Sequence, residues 1–514
     1  MRRRTITAVA VALGIASTLG AETRTQASSS AQDDFNGDGR SDLVIGVPLE
    51  DIGATADAGA VHVLAGTAAG VRARGSQFWN EDSAGVSGAT AANDRFGSSF
   101  AGGDFDDDSY SDLAVGIPCQ TVGAATCAGS VIVFYGSPFG LSTDGSDTID
   151  QDTVGVPGFA ETDDAFGSAL AAGDFDGDGR DDLAVGAPGE AVGATANAGV
   201  VYILVGGADG IEGAGARMIL PAAVGEVAET DDRFGETLAS GNFDGNAFAD
   251  LVIASPGESG AVAGIGSITS IVGSETGLDL GEAVSFTQDS AGVPGRAEVG
   301  DRFGTTLAAG DFDGDGNDDL AVGAPEEALG AVAGAGAIHL FDGSDASLTV
   351  TGSRAIWQGE GMRGAAESDD LTGAALAAGD FDNDGRDDLA VGVPGETYSG
   401  FQHGGQVLVM RGTDIGLNQV GTVTLHQDVA GVAEVPEDDD RFGGALDAAD
   451  YNGDGRDDLA VGVDETFAVV SAGGVHVFFG AASGISTNDD QFFGQDSVAI
   501  PDTAEISDRF GSVL

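Results

Sequence analysis

Asp174-Phe175-Asp176-Gly177-Asp178-Gly179-Arg180-Asp181-Asp182 runs straight into Leu183-Ala-Val-Gly-Ala-Pro188, and this arrangement is written seven times in the 514-residue chain. Equivalent loops begin at Asp34, Asp104, Asn242, Asp311, Asp380 and Asp450, spaced 68 to 70 residues apart. Oxygen-bearing side chains at positions 1, 3, 5 and 9, with glycine at 6, make a cage of hard oxygens inside one tight turn. Calcium asks for such a cage, six to eight oxygens at about 2.3–2.6 Å, and glycine permits the sharp bend. The side-chain candidates are Asp34, Asn36, Asp38 and Asp42; Asp104, Asp106, Asp108 and Asp112; Asp174, Asp176, Asp178 and Asp182. They continue as Asn242, Asp244, Asn246 and Asp250; Asp311, Asp313, Asp315 and Asp319; Asp380, Asp382, Asp384 and Asp388; Asp450, Asn452, Asp454 and Asp458.

An acidic turn without metal is the alternative reading. Six strong copies in register argue against it, because unneutralised carboxylates this close repel one another. In the second loop Ser109 stands at the glycine position, but all four carboxylates are present and the loop is expected to bind. The fourth loop has two carboxylates, with Ala247 in place of glycine, which leaves its occupancy open. The expected content is six or seven Ca2+ ions.

The repeat also sets the architecture. Eight residues before most loops stands an aromatic–glycine pair: Phe96-Gly97, Phe166-Gly167, Phe234-Gly235, Phe303-Gly304 and Phe442-Gly443, with Thr372-Gly373 in the sixth copy. A strand of small residues follows, such as Ser168-Ala-Leu-Ala-Ala-Gly173, suited to a crowded axis. After the loop comes a short apolar strand ended by Pro48, Pro118, Pro188, Pro256, Pro325 or Pro394, with Asp464 in the seventh copy. An alternating strand such as Val201–Val205 and a last polar–aromatic strand complete the unit. Four short antiparallel strands cannot bury both faces alone, so successive sheets stack, and a ring of them is a β-propeller.

The expected fold is therefore all-β, a seven-bladed β-propeller over residues 28–514 read as a single domain. Phe510-Gly511-Ser-Val-Leu514 has no loop after it, and the first loop has no Phe-Gly strand before it. The C-terminal strand is expected to complete the N-terminal blade and remove an exposed edge. A fragment of a longer array is the alternative.

Charge and composition narrow the partners. The formal charge is −64, with 84 acidic residues against 20 basic ones, all of them arginine. That field repels nucleic acid and anionic membrane, so neither is an expected partner. Seven divalent ions would offset about 14 of those charges; a salt-adapted source would also account for the composition. Residues 1–27 read as a secretory signal, with Arg2-Arg3-Arg4 before an apolar run and cleavage after Ala27 or near Ala21. No stretch is long enough for a membrane span, so a secreted, extracellular or cell-surface protein is expected. Cys119 and Cys127 are expected to form a disulfide stapling their loop, with two inert thiols as the alternative.

Phe-Gly, then D-x-D-x-D-G-x-x-D, then Gly-Ala-Pro (Gly186-Ala187-Pro188 and Gly323-Ala324-Pro325) resembles the FG-GAP repeat family. This is the repeat of the seven-bladed propeller in the head of integrin α subunits and of many secreted bacterial proteins. The resemblance implies calcium in the loops, with a backbone carbonyl from position 7. Those residues here are Arg40, Tyr110, Arg180, Phe248, Asn317, Arg386 and Arg456. It further implies an adhesion or ligand-binding role, with an extracellular protein or polysaccharide as ligand.

No G-x-S-x-G, H-E-x-x-H or phosphate loop is present, so no catalytic residue is assigned and the expectation is a non-enzyme. A secreted hydrolase or lyase with its site at the channel mouth is the alternative. Its signature would be a polar set confined to one blade, and the candidates are the Cys119/Cys127 loop, the Thr372 blade and the Tyr398–His403 insertion. His62, His339 and His476 share one strand position, which marks packing. The turns at Glu161–Asp164, Glu229–Asp232 and Glu437–Asp440 read as solvated acidic turns.

Overall fold

Small residues, apolar runs and breakers alternate so regularly that each unit folds as one antiparallel sheet. The structure, a computed structural model, describes residues 33–260, 262–464, 472–488, 490–501, 504 and 508–514. The signal expected at residues 1–27 lies outside the described residues. The second blade shows the plan: Ser99–Gly103, Asp112–Ile117, Ser130–Tyr135 and Ser142–Ile149, each hydrogen-bonded to the next. Asp112–Ile117 and Ser130–Tyr135 are buried along their whole length, whereas Ser142–Ile149 is exposed at Asp144 and Gly145. A continuous apolar run suits a strand covered on both faces, and alternation suits the rim.

The first strands of successive blades face one another, which places them around the central axis. Hydroxyls stitch them: Ser99 Oγ donates to Gly167 O at 2.7 Å and Thr306 Oγ1 to Gly373 O at 2.6 Å. The core is divided into seven clusters, one at each boundary between blades. Val133 of the second blade and Tyr202 of the third share one cluster, for example. Leu43, Ile45, Tyr451, Val475 and Phe510 join the seventh blade to the first. That last cluster makes the stack a ring.

Closure occurs as the repeat register demands. The first blade contributes only three strands of its own, Leu43–Val47, Ala60–Thr67 and Gly70–Trp79. The chain end supplies the missing neighbour, with Gly46 N–H donating to Val513 O at 2.9 Å and Gly511 N–H to Gly46 O at 3.3 Å. The other Phe/Thr–Gly positions make the equivalent bond, as from Gly167 N–H to Gly186 O at 2.9 Å. Thr372 fills the aromatic slot of the sixth blade and is fully buried. The fifth blade departs from four strands, because Gly361–Met362 adds a short parallel fifth beside Thr349–Gln358. Among the described residues the single helical element is the short turn Pro221–Val224. Cys119 and Cys127 are joined in a disulfide across the loop that Val122 and Ala125 close.

Candidate metal sites and the blade boundaries

Each acidic loop joins the first strand of a blade to the second, and its backbone winds around the side chain of its own first residue. Asp174 Oδ1 accepts the N–H groups of Gly177 and Asp178 at 2.7 and 3.1 Å, and its Oδ2 accepts that of Gly179 at 3.0 Å. Asp311 and Asp450 do the same. The winding needs a left-handed residue at position 6: Gly179 has φ 92° and Gly316 93°, and Ser109 adopts 74° in the second loop. A residue with a Cβ pays roughly 1–2 kcal/mol there, which Ser109 evidently bears. Ala247 does not adopt positive φ.

Winding the loop this way brings carboxylates together. Oxygens of Asp104, Asp106 and Asp108 lie within 4.8 Å of one another, as do those of Asp174, Asp176 and Asp178, of Asp311, Asp313 and Asp315, and of Asp380, Asp382 and Asp384. The position-9 aspartate anchors the base of each loop. All seven are buried, and each accepts a glycine N–H from the end of the third strand, as Asp112 Oδ1 does from Gly136 at 2.8 Å. Burial, reinforced by the other loop aspartates, pushes Asp112, Asp319 and Asp458 up to about 8, and Asp42, Asp182, Asp250 and Asp388 to about 7. Asp388 Oδ2 is buried without a hydrogen-bond partner. Clustered carboxylates above a buried position-9 aspartate, with one oxygen of Asp388 orphaned, fit a hard divalent cation, which would offset two of the negative charges at one point. The second, third, fifth and sixth loops could hold one with four carboxylates each.

The remaining three loops differ for visible reasons. In the first and seventh, Asn36 and Asn452 stand at position 3 and turn Nδ2 toward both oxygens of Asp42 and Asp458, at 3.0 to 3.1 Å. In the fourth, Asn242 Nδ2 donates to Asn246 O at 2.9 Å and Asn246 Nδ2 to Asp244 Oδ2 at 2.8 Å. Amide donors are bonded within that loop, while Asn242 Oδ1 is buried without a partner. The sixth loop holds a surprise, since Arg411 at the end of its third strand is ion-paired with Asp382 and lies 3.9 Å from Asp384. Nothing in the loop's own sequence signals this contact.

At position 7 the N–H groups of Tyr110, Arg180, Asn317 and Arg456 donate to the position-5 carboxylate at 2.9 to 3.1 Å. Phe248 donates likewise to Asn246 Oδ1 at 2.5 Å. The guanidinium groups of Arg40, Arg180, Arg386 and Arg456 sit 3.2 to 3.5 Å from the same position-5 carboxylates. Their side chains also cross to the neighbouring blade. A Cβ on Gly177 would lie 2.4 Å from the Phe248 ring and one on Gly314 3.0 Å from Arg386, so position 4 must stay small or turn aside.

Sequence reading missed the residue that joins loop to loop, at position 8. Its N–H donates to the position-1 carbonyl of the preceding blade at every boundary, at 2.9 to 3.2 Å, including Ser41 to Asp450 across the closure. Where position 8 is aspartate the side chain returns a bond. Asp181 Oδ2 accepts from Asp104 N–H, Asp318 from Asn242, Asp387 from Asp311 and Asp457 from Asp380, at 2.7 to 3.0 Å. The seven loops are one continuous rim.

A second carboxylate set lies at the other end of the strands and corrects the reading of solvated turns. Glu161 and Asp163 are exposed, but Asp164, Asp232 and Asp440 are buried, as are Asp94, Asp301, Asp370 and Asp508. All seven stand two residues before the Phe/Thr–Gly pair, a regularity visible in sequence. Asp164 Oδ2 accepts Glu161 N–H at 2.6 Å, and Glu190 meets both Asp164 and Gln151, the last at 2.6 Å. Gln288–Glu327, Gln358–Glu396 and Gln495–Glu50 repeat that amide–carboxylate contact at 2.6 Å. Blade two reverses it, with Gln120 donating to Glu81 at 2.8 Å. His62, His339 and His476 are buried against Phe510, Phe303 and Phe442, and burial lowers all three, which agrees with packing.

The FG-GAP repeat family model matches seven stretches, residues 27–64, 96–134, 166–204, 234–268, 303–341, 372–410 and 442–478. The chain belongs to the FG-GAP repeat family. Integrin alpha-PS5 of Drosophila melanogaster is 35% identical over 159 residues, covering 30% of this chain and 14% of that protein. Phosphatidylinositol-glycan-specific phospholipase D of Homo sapiens is 37% identical over 114 residues, 22% of this chain and 14% of that one. Human integrin alpha-IIb is 36% identical over 167 residues, 31% of this chain and 14% of its own length. The chain thus spans a small part of the length of these relatives. Among solved structures, the Bacillus licheniformis rhamnogalacturonan lyase PL11 overlaps 86% of this chain and 76% of that one, at 14% identity and a TM-score of 0.31. No helix among the described residues is long and apolar enough to cross a membrane.

Proposed function

We propose that this FG-GAP propeller is a secreted, calcium-loaded ligand-binding module that catalyses no reaction and engages an extracellular protein or polysaccharide. The observation that carries the reading is the rim, in which every acidic loop is hydrogen-bonded to the loop of the preceding blade. Calcium supplies charge neutralisation there. Asp104, Asp106, Asp108 and Asp112, with their counterparts in the third, fifth and sixth loops, would hold it, and the first and seventh loops would do so through Asn36 and Asn452. Neutralised loops stiffen the ring and present the connecting loops on a fixed frame, which lowers the ordering cost of binding. The test is a melt in chelator, in magnesium and in millimolar calcium, paired with binding to an array of extracellular proteins and glycans. Calcium-specific stabilisation together with calcium-dependent binding supports the reading. An unchanged melt in chelator refutes the metal, and an empty array refutes the module.

A hydrolase or lyase is favoured by one observation in the seventh blade. Tyr451 replaces the loop phenylalanine, Asp447 replaces the alanine of the inner strand, and the Tyr451 hydroxyl donates to Asp447. Burial and Asp447 raise Asp33 to about 8 beside them. Among the described residues this polar trio occurs once, buried where the seventh blade meets the first. Turnover of a polysaccharide or ester that disappears in Asp447→Asn would establish the enzyme, and identical residual turnover in that variant would remove it.

A further inference from the structure

The blades differ most where the sixth, seventh and first meet, on the end of the strands away from the acidic loops. Pro188 and its counterparts end the second strand in six blades, and in four of them the next residue reaches back with its N–H, as Gly395 does to Asp370 O at 3.0 Å. In the seventh blade Asp464 stands at the proline position and makes that bond itself, to Asp440 O at 2.7 Å. A cavity of about 500 Å³ opens beside it, within the range that holds a small ligand.

The walls are chemically divided. Arg441 and Arg509, the residues before Phe442 and Phe510, both line the cavity. Three more arginines, Arg95, Arg233 and Arg302, hold the same repeat position, and two of those are already engaged. Arg233 meets Glu236 at 2.7 Å and Arg302 meets it at 3.2 Å. Arg441 has only a 4.0 Å approach to Asp464, with half of its side chain exposed. His403, from the Tyr398–His403 insertion, sits at the edge and pairs with Asp439 at 2.8 Å. Asp369 and Asp464 offer acceptors, while Leu371, Pro394 and Val463 make an apolar wall. Leu371 stands where five blades carry arginine and the third carries Ala165, so a bulky apolar side chain here is particular to this blade.

We propose that this cavity binds an acidic saccharide, a uronic acid unit of an extracellular polysaccharide. The inference rests on the ligand-binding reading above and names the site and ligand class. Two guanidinium groups lining one cavity suit a carboxylate, since arginine presents paired N–H donors to two oxygens. Asp369 and Asp464 accept from sugar hydroxyls, and the Leu371–Pro394–Val463 wall receives the apolar face of the ring. In a chain of charge −64, two guanidinium groups facing one cavity, with Asp464 beside them, are what offsets the general repulsion of a polyanion at this one place.

Calorimetric titration of the calcium-loaded protein with a trimer of galacturonic acid, its methyl ester and a neutral galactose trimer tests this. The acid trimer is expected to bind, with both neutral sugars weaker by roughly tenfold or more, the worth of one charged hydrogen bond. Arg441→Gln and Arg509→Gln should each weaken the acid by a similar factor and leave the neutral sugars unchanged. Arg95→Gln, at the same repeat position outside the cavity, should change nothing. If an arginine variant melts early, Leu371→Glu, which sets a carboxylate in the half-buried apolar wall, serves in its place and should also weaken the acid trimer by repulsion. Equal affinity for acid and ester, or full affinity in Arg441→Gln, overturns the proposal. Binding to array proteins with no response to any trimer overturns it too, while leaving the ligand-binding module intact.

Discussion

Glu327→Gln tests the second carboxylate set at one boundary. Glu327 is 8% exposed, accepts Gln288 Nε2 at 2.6 Å and shares its site with the buried Asp301. Burial, and then the charge of Asp301, raises its carboxyl to about 7, against an amide contact that works the other way. The folded value lies above the unfolded one, so this group stabilises the fold fully below about 4.5, and that stability is lost as pH rises through about 7. The difference corresponds to about 3 kcal/mol at pH 8.5. Glutamine cannot ionise, keeps an oxygen for Gln288 and gives Asp301 a donor. Blade two already carries Gln120 at this repeat position. The variant should therefore match the parent at pH 5 and exceed it by up to about 3 kcal/mol at pH 8.5. For a chain of this size that is about 3 °C in Tm. Calorimetry at pH 5.0, 6.5 and 8.5 in saturating calcium, which holds the acidic loops constant, reads it. A variant that is less stable at pH 8.5, or offset equally at all three values, would refute the reasoning.

Three further outcomes are expected. Phe510→Ala removes a fully buried ring from the closing cluster and should cost about 3–5 kcal/mol, as should Phe166→Ala at an internal boundary, both read by thermal unfolding. A much smaller loss at Phe510 would show that closure contributes little. Asp313→Asn should lower the bound calcium, measured by metal analysis after gel filtration, by one ion per chain, whereas Asp244→Asn in the amide-bonded fourth loop should leave it unchanged. Arg411→Leu frees Asp382 and should tighten calcium at the sixth loop, seen as a higher-affinity step in titration. Weaker binding there would mean that the arginine supports the site.

The regular features were legible because they recur. Spacing of the acidic loops, the small-residue strands and the final Phe510-Gly511 without a loop together announced seven blades and their closure. The seven position-9 aspartates were singled out correctly as loop members, and the structure adds their burial and their tie to the third strand. Misread features were those whose partners lie on another blade. Asp164 stands in an acidic turn that looks solvated, yet it faces Glu190 and Gln151 across a boundary. Position 8 carried no local signal, because its partner belongs to the loop about 70 residues earlier.

What the sequence by itself determined is the repeat: four strands, one acidic loop and a period, each specified by neighbours close along the chain. Local chemistry suffices there, since alternation, glycine at left-handed positions and clustered aspartates act within one turn or hairpin. Only the tertiary structure decided which departures from the repeat meet. Arg411 reaches the sixth loop from the end of its third strand, and Asp464, Leu371, Arg441, Arg509 and His403 converge on one cavity from five separate segments. A ring brings the last blade against the first, so residues from distant segments become neighbours, and no spacing rule along the chain can express that.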